Sequence, residues 1–181
     1  MRDTIKVTPF KLILVTPFLI LLSHYLAVFP HEYAHSFLAW ILGYKNNPFS
    51  LNYGGTSLLN ILLLANIDQN VDNNMIYSLG HPIHVALIAF IGPFMNGLFI
   101  GLSIWLLKKE KIKQHPYLFY FLFLFNLMNI GNIYDYVPVR TFVTHGNMND
   151  VLNIEQGLNI SPWWIYIVIG YLVAFWIWQL F

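Results

Sequence analysis

The sequence predicts an all-α polytopic membrane protein of about four transmembrane helices, the first long or kinked, with a short β or re-entrant segment after it. Three observations carry this. Charged residues make up 9% of the 181 positions, against roughly 25% in soluble domains. Hydrophobic residues make up 57%, and the mean hydropathy is +0.59. A soluble domain of this size leaves too much of its area in water to hide that much apolar surface. The charges also avoid four stretches, each near the roughly 20 residues that a hydrocarbon core requires. A net charge of +1 leaves no electrostatic footprint for nucleic acid. With no cysteine, a metal must be held by His, Asp or Glu. The length suits one membrane-embedded domain over residues 1–181.

The first stretch, about 10–43, holds Glu32 as its only charge besides Lys11. At 1.5 Å per residue its 34 residues would reach roughly 51 Å, against a core of about 30 Å. Pro17 and Pro30 lie inside it, and proline kinks a helix. One helix bent at Pro30 and two separate helices both fit, with Gly43 as the stop. Arg2, Lys6 and Lys11 precede this apolar run, and no small-x-small cleavage site precedes His31, so an uncleaved anchor is expected. In 45–80, Phe49, Leu51 and Tyr53 alternate with Ser50, Asn52 and Gly54, a short strand pattern broken at Gly54-Gly55. Leu58 to Ile67 is apolar but too short to span, which suits an interfacial or re-entrant piece.

Further spans are expected at about 82–107, 116–137 and 162–181, with Asp135 the one charge in 116–137. Basic residues flank the first span before it and follow the second, as Lys108, Lys109, Lys111 and Lys113. The positive-inside rule then places both clusters, and both termini, in the cytoplasm. Segments 45–80 and 139–161 face the other side.

His31-Glu32-Tyr33-Ala34-His35 reads H-E-x-x-H. On a helix, residues four apart share a face, so two imidazoles can reach one zinc ion while the Glu acts as general base. Each such polar residue costs a few kcal/mol in a bilayer, which a bland core role would not recover. Catalytic zinc takes three protein ligands. Asp135 is the only other acid inside a hydrophobic span, and it follows Asn129 and Asn132 at intervals of three. That stripe should face the interior, with Asp135 as third ligand and the asparagines binding substrate, supporting the ligands or holding helices together. The competing ligands are histidines: His24, which could line the same cavity; His81 and His84 near the interface; His115 beside the basic cluster; and His145, which lies with Asp150 in a polar loop. Gly92, Pro93 and Asn96 interrupt the second long span, and a buried Asn96 requires a partner.

Together these residues resemble the site-2 protease family of intramembrane zinc metalloproteases, the M50 type. Three features match in order: His31 to His35 on a helix closed by Gly43; Gly92, Pro93 and Asn96 as Gly-Pro-x-x-Asn; and Asn129 and Asn132 before Asp135. The family's usual Leu-Asp-Gly reads Tyr134-Asp135-Tyr136 here. The resemblance implies zinc on His31, His35 and Asp135, Glu32 as the residue activating water, and Asn96, Asn129 and Asn132 near substrate or ligands. It implies hydrolysis of peptide bonds in or near transmembrane segments of membrane protein substrates, by a multi-pass protein of a prokaryotic plasma membrane. A membrane zinc hydrolase acting on lipid amides and a non-catalytic membrane zinc protein remain the other readings.

Overall fold

The structure is a computed structural model that describes residues 9–135 and 150–181. It contains eight helices among them: α1 (Pro9–Ile41), α2 (Leu58–Leu63), α3 (Asn73–Ser78), α4 (Pro82–Leu107), α5 (Glu110–Lys113), α6 (Pro116–Tyr134), α7 (Asp150–Leu158) and α8 (Pro162–Leu180). The helices α1, α4, α6 and α8 are long and apolar enough to cross a membrane. The protein is thus an all-α polytopic membrane protein. The first stretch is one continuous helix of 33 residues with Pro17 and Pro30 inside it, not two helices. Proline at the first position of α4, α6 and α8 fixes the turn where each begins.

Side-chain bonds give the directions of the helices. On α1, Ala27 and His31 meet Asn96 of α4, while His35 meets Ile88, so α1 and α4 are antiparallel. Asn126 and Asn129 of α6 meet Ser103 and Asn96 of α4 in the same reversed sense. Helix α8 packs Ile165 near Ala89 and bonds Gln179 to Lys108, so it runs with α4. Residues 9 and 181 therefore lie at one end of the bundle. The core between α4, α6 and α8 is built from Ile100, Ile104, Ile130, Ile133 and Val173. Ile76, Val85 and Ile88 close the other end over Ala39.

One segment dips into the bundle and another lies along its outside, neither crossing it. Helix α7 lies antiparallel to the first half of α4, burying Val151 and Ile154 against Ala89 and Ile165. Gly157 makes this approach possible, because a Cβ there would sit 2.7 Å from Cβ of Ala86 and closer still to the carbonyl oxygen of Pro82. The other segment follows α1. Its α2 reaches past the paired histidines, and the carbonyls of Ile61 and Leu63 are capped by Tyr25 and His24.

The expected strand at 49–55 is absent among the described residues. It is reduced to one antiparallel bridge, Asn52 to Asp68, with both N–H···O distances 2.9 Å. The physical reason is Asn60, which is buried within the loop. Its Nδ2 donates to the carbonyls of Tyr53 and Gly55, and its Oδ1 accepts from the Asn66 amide at 2.9 Å. A side chain thus takes the main-chain groups that a second strand would have paired.

Candidate metal centre

His31 and His35 lie four apart on α1, a little over one turn, so both project toward α4. They are 3% and 0% exposed. The Nδ1 of His31 lies 2.6 Å from Oδ1 of Asn96, and Nδ1 of His35 meets the carbonyl oxygen of Ile88. Both partners accept hydrogen bonds, so each imidazole carries a proton on Nδ1, and Nε2 is the nitrogen a metal could take. Asn96 is oriented by its own bonds, since Nδ2 donates to the Ala27 carbonyl at 3.1 Å and to Oδ1 of Asn129 at 2.8 Å.

The third group is Asp150, at the first turn of α7. Its Oδ2 lies 3.2 Å from Nε2 of His31 and 3.4 Å from Nε2 of His35. Two imidazole nitrogens and a carboxylate oxygen, all buried and within 4.8 Å of one another, form a group that could hold a metal ion. The buried Nε2 of His35 has no hydrogen-bond partner among the described residues. Space is kept by Gly92, where a Cβ would fall 2.5 Å from Cε1 of His35 and 2.7 Å from Nε2 of His31. The donors, the orphaned nitrogen and the close approach of both imidazoles that Gly92 permits together fit a metal ion held by His31, His35 and Asp150.

Asp135 does not join this group. It caps the C-terminal end of α6, while Asp150 takes the position expected of it. A spacing of three falls about 60° short of a full turn at each step, so Asp135 is rotated about 120° from Asn129 around α6. Asn129 does face α4. Asn132 is half-buried and, among the described residues, makes no side-chain bond to Asn96 or the histidines. His24 is committed to Leu63, and His84 to Tyr44 at 2.6 Å. His81 packs beside His84, away from the centre, and His145 lies outside the described residues.

Glu32 projects from the side of α1 that faces the loop. The main-chain amide of Gln69 hydrogen-bonds its carboxylate, while its Oε2 is buried with no partner among the described residues. Beyond Gln69 lies a polar cleft of about 570 Å³ lined by Asp68, Gln69, Asp72, Asn73, Asn74 and Leu152. Lys45 holds this rim by donating to the carbonyls of Ser50, at 2.6 Å, and Gln69. Gly92 lies ten residues into α4, about 15 Å from its start. The centre is therefore inside the apolar layer but close to a polar opening.

Sequence reasoning also missed Asn126. It is fully buried, bonded to the Ile100 carbonyl and Oγ of Ser103. The signal was available, since Asn126 precedes Asn129 by three in an otherwise apolar helix.

No protein-family model, curated protein or solved structure matches this chain.

Proposed function

We propose that the protein is an intramembrane zinc metallopeptidase of the site-2 protease type, acting on peptide bonds in or near transmembrane segments of membrane proteins. The observation that carries this is the convergence of His31, His35 and Asp150 at bilayer depth, with the Glu32 carboxylate on the adjoining residue. Two nitrogens and one carboxylate oxygen form a ligand set of the catalytic zinc type, which leaves a position open for the reacting groups. When bound, zinc supplies Lewis acidity, which makes water nucleophilic at neutral pH and polarises a carbonyl.

The chain's own residues supply the rest. Glu32 takes the proton of the attacking water and delivers it to the leaving amine, with the Gln69 amide holding its carboxylate in place. The cleft lined by Gln69 lies beside the residue that holds this carboxylate, and apolar helices surround the centre. A substrate helix hides its carbonyls in i→i−4 bonds and must unwind locally before attack.

The test is turnover of a membrane-embedded helical substrate in liposomes. Glu32→Gln should lower cleavage by about 10²–10⁴-fold while zinc stays bound. Cleavage at the wild-type rate would sink the proposal.

A further inference from the structure

We infer that Asn129 is a positioning residue that selects, through Asn96, which nitrogen of His31 is open to metal. This rests on the metal-binding part of the proposal above and not on peptide hydrolysis.

An asparagine side chain has a donor end and an acceptor end of nearly equal shape, so its neighbours decide which way it faces. Three such decisions are linked here. The Nδ2 of Asn129 donates to the carbonyl oxygen of Phe125 at 2.7 Å. A carbonyl only accepts, so this bond turns Oδ1 of Asn129 toward α4. That Oδ1 accepts from Nδ2 of Asn96 at 2.8 Å, and the Ala27 carbonyl accepts from the same nitrogen at 3.1 Å. Only Oδ1 of Asn96 is left for His31, at 2.6 Å from Nδ1. Nδ1 must then carry a proton, which leaves Nε2, 3.2 Å from Oδ2 of Asp150, as the nitrogen a metal could take.

Reversing the amide of Asn96 would present NH₂ to Nδ1. The imidazole would then accept there and carry its proton on Nε2, aimed into the metal space. Asn129 touches neither the histidines nor Asp150, yet its acceptor biases that choice from another helix. Asn126 provides an internal control. It lies three residues earlier on α6, is as deeply buried, and bonds only Ile100 and Ser103.

The experiment compares the wild type with Asn129→Leu, Asn129→Asp and Asn126→Leu in detergent. Zinc affinity is read by chelator competition. The ¹⁵N resonances of the imidazoles are read on metal-free protein at a pH where histidine is neutral. In the wild type, His31 should carry its proton on Nδ1. Asn129→Leu should weaken zinc binding by about 10–100-fold and move His31 toward the Nε2–H form. Asn129→Asp, neutral at this depth, keeps both bonds by donating O–H to Phe125 and accepting from Asn96, and should restore wild-type values. Asn126→Leu should leave affinity and tautomer unchanged. Wild-type affinity in Asn129→Leu, or an equal loss in Asn126→Leu, would overturn the inference. So would a wild-type His31 with no proton on Nδ1, which decides the matter even if Asn129→Leu fails to fold. Loss of peptide turnover moves none of these readouts, so failure here and failure of the hydrolase reading are separable.

Discussion

Gly92→Ala is the smallest change that should close the metal centre. The added methyl would lie 2.5 Å from Cε1 of His35 and 2.7 Å from Nε2 of His31. Carbon atoms in contact stay about 3.5 Å apart, so one imidazole must retreat by about 1 Å. Metal–ligand distances tolerate about 0.2 Å. Neither ring can retreat cheaply, because each Nδ1 is tied to α4, at Asn96 or Ile88. Overpacking at a site of this kind costs about 1–3 kcal/mol. Zinc affinity should fall by at least the roughly 10–100-fold seen when ligand-supporting groups are removed, since here the ligands themselves move. Gly101→Ala, on the same helix with open space around it, should bind zinc normally and gain about 0.5–1 kcal/mol from better helix propensity. The assay is zinc stoichiometry and affinity with a thermal melt for each variant. Wild-type zinc affinity in Gly92→Ala would refute the assignment of the centre to the imidazoles packed on Gly92.

Asp150→Asn should lose most of the bound zinc, because two histidines and a neutral amide are a poor ligand set, whereas Asp135→Asn should keep it. Metal analysis after purification without chelator decides between the two acids. The chain has no cysteine, so single cysteines at Asn74 and Gln114 report sidedness cleanly. They should label from opposite faces of the membrane, with Gln114 cytoplasmic, and labelling from one face would reverse the topology drawn from the basic clusters.

The spans were legible because removing charge from about 20 residues leaves a gap that no soluble pattern imitates. His31, Glu32 and His35 were legible as a local motif on a helix whose geometry is known in advance. Asp150 was not. Its segment reads as polar loop, with Asn147, Asn149 and Asn153 around it, and only the docking of Val151 and Ile154 turns it inward. Asp135 misled because a spacing of three resembles a stripe over one turn and drifts off the face over two. The strand at 49–55 had the right alternation, but pairing is a property of a partner, and Asn60 supplied a side chain instead.

The place of Asp150 in the chain bears on the birth of the protein. His35 and Asp150 are separated by 115 positions (150 − 35), and the last span follows both. At about 5–20 residues per second, the ribosome delivers both imidazoles roughly 6–23 s before the carboxylate. Until α7 folds back onto α4, a metal finds two protein donors and no complete centre. Under the proposed hydrolase function, the half-made chain would be inert while it shares the insertion machinery with other nascent helices, and completion of the fold would act as its own clock.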